Sequence, residues 1–306
     1  MVQGRVDRPG HLRDPRRPVA HERLTHCANT RLTRGTPVAP TPTPVPAEVP
    51  GATELSAAAY ADVAREAISA VATSQAEAVA AAADLMATCI GDGGVLQAFG
   101  TGHSEAFAME IAGRAGGFIP TNRLALRDAV AAAEAARADT DPDQFAELER
   151  DPAFAQFIYD LVPDVQPSDV FLIASNSGGN GSIVEFARLV KEKGHPLIAV
   201  TSLAHTTKVT SRHPSGLRLF EVADIVLDNG APYGDAVLPL PGGGAACGLS
   251  SITAALLAQM MVAETLVRLL AAGQRPPVYL SANIPEGDAH NNALEARYAG
   301  RLRRGL

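Results

Sequence analysis

Several short segments of this sequence are apolar at nearly every position, and that limits the possible folds more than any other feature. They are Val95-Leu96-Gln97-Ala98-Phe99, Asp169-Val170-Phe171-Leu172-Ile173-Ala174, Leu197-Ile198-Ala199-Val200-Thr201 and Ala223-Asp224-Ile225-Val226-Leu227-Asp228. A strand with one wet face alternates polar and apolar residues; a strand apolar on both faces needs cover on both. Helical patterns supply that cover. They run over Glu105 to Ala115, Ser182 to Lys193 and Leu249 to Ala271, the last ending at Gly273 and Pro276. Phe118 to Leu124 fits a further strand, and Thr53 to Ile90, free of Pro and Gly, fits one or two helices. Residues 125–167 read as helix broken at Pro142, Pro152 and Pro163. The fold class is therefore α/β, with a parallel sheet covered on both faces.

Two turns of one chemical type follow two of these strands. The first is Gly100-Thr101-Gly102-His103-Ser104; the second is Ser175-Asn176-Ser177-Gly178-Gly179-Asn180-Gly181-Ser182. In a parallel sheet both lie at the carboxyl edge, where ligands bind. Glycine lets backbone approach a ligand, Ser and Asn add neutral donors, and the next helix adds its positive end. Such a cradle suits a phosphate monoester. The competing explanation is that Ser104 and Ser182 merely cap their helices. Walker A, GxGxxG and GxSxG patterns are not matched by these turns.

Charge narrows the partners. Residues 1–50 carry eight Arg, no Lys and four acids, which leaves 18 basic against 29 acidic residues in the rest. An acidic body argues against nucleic acid. No apolar run of about 18 residues stands out, so no membrane partner is expected. Cys27, Cys89 and Cys247 form no CxxC pair, and His205 and His213 lack further ligands at suitable spacing. Neither a metal, a cofactor nor a disulfide framework is expected, and a reducing cytoplasm is the simplest setting. Residues 1–50, ending in Ala39-Pro40-Thr41-Pro42-Thr43-Pro44-Val45-Pro46, are expected to be a disordered Arg/Pro-rich tail or an overlong start to the reading frame. Residues 51–306 then form the folded domain with its N-terminal helices.

The two turns, with Arg114-Ala115-Gly116-Gly117, Leu148-Glu149-Arg150, His213-Pro214-Ser215-Gly216, Asp228-Asn229-Gly230, Gly234-Asp235-Ala236, Pro276-Pro277-Val278, Ser281-Ala282-Asn283 and Gly287-Asp288-Ala289-His290-Asn291, carry a family resemblance. In order over about residues 55–303, the chain resembles the SIS (sugar isomerase) domain family, nearest to its bacterial UPF0309 group and more distantly to phosphoheptose isomerases. The resemblance implies a three-layer α-β-α sandwich with a five-stranded parallel sheet, a sugar-phosphate ligand and a homodimer with a shared site. It implies that Ser104, Ser175 and Ser177 hold phosphate, with Gly102, Asn176 and Gly178 in the same turns. Asn180, where many relatives have Thr or Ser, is expected to bind the phosphate too, since an Asn can still donate a hydrogen bond there.

Catalytic residues transfer less directly. Aldose–ketose isomerisation needs a base and often a His. Glu110, His103 and His290 are the leading expectations, with Glu149 and Asp235 as further acid–base groups. Glu110 falls short of the family's usual position, which holds Arg114, and an i, i+4 pair between the two is the bland alternative. The last long helix has no His and offers Glu264. The function implied is a sugar-phosphate isomerase. The alternatives are an elimination resembling N-acetylmuramic acid 6-phosphate etherase and a phosphosugar sensor without chemistry.

Overall fold

The computed structural model describes residues 54–136 and 148–303. The expectations for residues 1–50, Cys27 and Pro142 lie outside them. Two helices open the domain, α1 (Ala57–Ser74) and α2 (Ala76–Gly91). Ser56 Oγ caps α1 by accepting from Ala59 N at 3.0 Å. The break between the helices is Gln75, fully buried, whose Oε1 accepts from Asp228 N at 3.0 Å.

Then follow β1 (Leu96–Gly100), α3 (Glu105–Ile111), β2 (Thr121–Ala125), α4 (Leu126–Ala136), α5 (Phe154–Asp160) and β3 (Val170–Ala174). Next are α6 (Gly181–Glu192), β4 (Leu197–Thr201), two single turns α7 (Leu203–Thr206) and α8 (Leu219–Val222), and β5 (Ile225–Asp228). A hairpin, β6 (Ala236–Pro239) and β7 (Ala245–Gly248), precedes the long α9 (Ser250–Ala271) and α10 (Gly287–Glu295). α3 is shorter than its pattern implies. Ala112 is extended, and Gly113 and Gly116 take positive φ so that the chain can turn toward β2.

The five strands β1 to β5 form one parallel sheet in the order β2-β1-β3-β4-β5. Side chains alternate across it, as the pleat demands. Leu96, Ala98, Val170, Leu172, Val200 and Leu227 face α2, α3 and α9, packing with Met86, Phe107 and Met261. Phe99, Phe171, Ile173 and Ala199 face the other layer, with Val130 of α4, Ile158 of α5 and Phe186 of α6. Phe186 meets Phe99 edge-on at 5.1 Å. The result is the expected α-β-α sandwich.

α9 is long and apolar enough to cross a membrane by length and composition. Here Leu257, Ala258, Met261 and Val262 bury one face of it in the sheet's core. The C-terminal segment closes the opposite edge of the sheet. Tyr298 packs on Val95 and Ile119, just upstream of β1 and β2. Arg301 pairs with Asp169, which is fully buried and also accepts from Val95 N and Gln97 Nε2.

Candidate functional site

The strand order reverses between β1 and β3, so the chain leaves these neighbours in opposite directions and a crevice opens above their carboxyl ends. Gly100 pairs in register with Ala174. The two hydroxyl-rich turns therefore start side by side. Backbone must come very close here. A Cβ on Gly100 would lie 2.3 Å from Ser104 O, and one on Gly181 would lie 1.9 Å from Arg150 O. Only glycine fits at either place.

The turns converge on one cleft of about 260 Å³, whose walls include Ser104, Ser175, Asn176, Ser177, His103 and Glu149. His205, Asp235 and Ser250 complete it from the side of β4 and α9. Ser104 makes no capping hydrogen bond, and Ser182 Oγ instead donates to Glu149 O at 2.6 Å. Capping therefore does not account for these serines. Among the described residues, neither Ser104 Oγ nor Ser177 Oγ has a side-chain partner. Ser175 Oγ accepts from Gly178 N at 3.1 Å and shapes its own turn. Asn176 Oδ1 accepts from Asn229 Nδ2 at 2.6 Å. Gly102 and Gly178 both take positive φ, which keeps each turn tight.

Asn180 departs from expectation. Its Nδ2 donates to Glu149 Oε1 at 2.7 Å and its Oδ1 accepts from Arg212 Nη1 at 2.7 Å. Both ends of this amide are used inside the protein, so Asn180 braces the turn and does not face the cleft. Thr101 Oγ1 donates to the same Glu149 Oε1 at 2.5 Å. Glu149 thus ties the first turn to the second. One of its oxygens is held by both, and among the described residues the other accepts no hydrogen bond.

His205 is set by its surroundings. Its Nδ1 accepts from Gly234 N at 3.2 Å, so the neutral ring carries its proton on Nε2. Burial pushes its pKa below the ordinary 6.5, against the raising effect of Asp235. Asp235, in the left-handed region at φ 69°, commits both oxygens to the start of α9. It accepts from Leu249 N at 3.1 Å, Ser250 N at 2.8 Å and Ser250 Oγ at 2.8 Å.

Two of the expected catalytic residues lie elsewhere. Glu110 pairs with Arg114 and accepts from Gln259 Nε2 of α9 at 2.9 Å. The bland i, i+4 reading holds, and Glu110 is not in the cleft wall. Six helical residues carry it about 9 Å along α3 and round to a different face from Ser104. His290 Nε2 meets Val278 O at 2.9 Å, and Val278 bridges to Phe118, upstream of β2. That is the amino edge of the sheet, away from the cleft of the same chain. His103 does line the cleft. His213 is spent on Glu185, with Nε2 to Oε2 at 2.8 Å.

Glu149 and Asp235, expected as further acid–base groups, stand in the cleft wall together with His205 and Ser250, which were not expected there. The signal for Asp235 and Ser250 was a helix start at Leu249-Ser250 without a local acidic cap. Among the described residues no cluster of His, Cys, Asp and Glu could hold a metal.

A family profile described as "SIS domain" matches residues 59–202. A UPF0309 protein of Listeria monocytogenes serovar 1/2a is 38% identical over 254 residues, 79% of this chain and 97% of the relative. One from Halalkalibacterium halodurans is 38% identical over 232 residues, 76% of this chain and 93% of the relative. A solved phosphoheptose isomerase from Francisella tularensis aligns with 68% of this chain and 95% of its own, at 19% identity and a TM-score of 0.45. The chain belongs to the SIS domain family, in its UPF0309 group.

Proposed function

We propose that this protein binds a sugar phosphate in the cleft between β1 and β3 and interconverts its aldose and ketose forms. One observation carries the reading: hydroxyls and a carboxylate oxygen that have no partner among the described residues line the same cleft as a neutral His. Ser104 and Ser177 donate to the phosphate, helped by the positive ends of the helices that follow. Glu149 removes the proton from the carbon next to the carbonyl, and His205 Nε2–H donates to the carbonyl oxygen as charge develops there. The proton is then delivered to the former carbonyl carbon, while the hydroxyl proton of the neighbouring carbon passes to the former carbonyl oxygen, so that the new carbonyl forms there. No electrons are transferred, so the chemistry asks for no redox cofactor.

Proton removal next to a carbonyl also starts an elimination, so product analysis separates the two enzymatic outcomes. Incubating the protein with a panel of hexose, pentose and amino-sugar phosphates in D₂O is the test. Expected is deuterium at C1 or C2 of at least one member, with aldose–ketose interconversion. Tight binding without exchange identifies a sensor and sinks the catalytic reading.

The same proposal includes a homodimer in a reducing, cytoplasmic setting. Met109 of α3 and Val267 and Leu270 of α9 are exposed apolar residues on one layer, and Cys89 and Cys247 are free thiols. Sedimentation at monomer mass would remove the dimer from it.

A further inference from the structure

Beside the cleft lies a second hollow of about 540 Å³, lined in part by Ser177, Asn180, His205, Lys208, Arg212 and Tyr233. It shares Ser177 and His205 with the cleft, so the two are continuous around the second turn. The cleft itself has two carboxylates, Glu149 and Asp235, and neither Lys nor Arg. The hollow has two cations and no carboxylate.

Ion pairs take up many of the chain's other cations. Arg188, Lys191, Arg218 and Arg268 each hold a carboxylate. Among the described residues Lys208 and Arg212 hold none. Both are nonetheless placed. Lys208 Nζ lies 5.7 Å from the centroid of the Tyr233 ring, and His205 packs on the same ring at 5.3 Å. Arg212 spends one guanidinium nitrogen on Asn180 Oδ1 at 2.7 Å, and its backbone N donates to Gly179 O at 2.7 Å. The loop that carries them is pinned by Arg218 Nη2 to Val209 O at 2.7 Å and by buried His213. Cations on a fixed loop, ordered by an aromatic ring and an amide, are already arranged for an anion.

We propose that the sugar phosphate bound here carries a second anionic group, a carboxylate or another phosphate, held in this hollow by Lys208 and Arg212. The inference rests on the sugar-phosphate reading of the cleft. The first phosphate belongs with Ser104, which lines the cleft and not the hollow. A second anion is repelled from the rest of the cleft by Glu149 and drawn to the cations around Ser177.

Calorimetric binding of two matched pairs to the full chain tests it: glucose 6-phosphate against 6-phosphogluconate, and fructose 6-phosphate against fructose 1,6-bisphosphate. In at least one pair the doubly anionic member should bind about ten-fold tighter or more. Lys208→Ala with Arg212→Ala should abolish that preference and leave the singly phosphorylated sugar within about two-fold. Lys208→Gln with Arg212→Gln, which keeps a donor toward Asn180, gives the same result where the alanine pair melts early. Equal affinities within both pairs overturn the inference. So does an equal loss for both members, which would mean that the cations serve the first phosphate. Either result leaves the sugar-phosphate reading standing. If none of the four binds at millimolar concentration, the inference is overturned, while the sugar-phosphate reading is decided separately by the wider panel in D₂O.

Discussion

Glu149 serves two ends at once, and two substitutions separate them. Its Oε1 accepts from Thr101 and from Asn180, residues that are each only 8% exposed. Glu149→Ala leaves both donors without an acceptor. A hydrogen bond to a charged group contributes about 1.5–3 kcal/mol when buried. Glu149 is half-buried and water can enter, so the lower end applies, or roughly 2–3 kcal/mol for the two. For a domain of this size that is a fall in Tm of about 5–10 °C. Glu149→Gln keeps an oxygen for the same donors and should cost under about 1 kcal/mol. It has no basic oxygen, so deuterium exchange at the sugar carbon should drop about 10²- to 10⁴-fold. Ligand binding, read by calorimetry, should change little. Full exchange by Glu149→Gln would refute the assignment of the base. Equal melting of the two variants would refute the role of Glu149 as the tie between the turns.

Ser177→Ala removes a hydroxyl with no side-chain partner among the described residues, so the apo melting temperature should stay while sugar-phosphate affinity falls about 10-fold or more by calorimetry. Arg301→Ala strands the fully buried Asp169, and urea unfolding should show a loss of about 3–5 kcal/mol although the cleft lies at the other end of the sheet. His195 is 4% exposed, bonds Tyr159 OH at 3.0 Å, and burial lowers its pKa below 6.5, with Asp169 opposing. The unfolded chain therefore binds the proton first, so this residue's share of stability is whole above pH 6.5 and lost as pH falls through its lower folded value. Thermal melts of wild type and His195→Gln should converge between pH 7 and pH 5; parallel curves would contradict the assignment.

Most of the strands were readable because a parallel sheet covered on both faces leaves little room for polar residues. Phe171 and Leu172 are adjacent, face opposite layers, and are both fully buried. The cradle was readable because Ser104 and Ser177 adjoin strand ends whose position the fold dictates. The β6–β7 hairpin was not, since its strands are short and β7 is mostly exposed, though Gly242-Gly243-Gly244 marks its turn. The residues proposed to react were not readable either, for a geometric reason. Glu110 is six residues from Ser104 in sequence yet turned away by the helix. Glu149 is far from both turns in sequence, yet Thr101 and Asn180 bring it between them. Sequence distance ranks such groups wrongly whenever a loop crosses the sheet edge.

The neutral chemistry of the cradle fits the role proposed for Glu149. A phosphate is most simply held by Lys or Arg, and this chain has such residues one wall away. Had either stood in the cleft, it would have paired with Glu149 as readily as with the ligand. An opposite charge within a few ångströms stabilises the ionised carboxylate and makes it a poorer base. Hydroxyls and backbone N–H groups hold an anion without that effect. Asn180 and Thr101 are neutral donors too, so the carboxylate is oriented by dipoles and no full positive charge is placed against it. Arg212 reaches this network through the Asn180 amide, with its Nη1 donating to Oδ1 while Nδ2 donates to Glu149. The amide is therefore a spacer. It lets a cation brace the loop while keeping it off the proposed base.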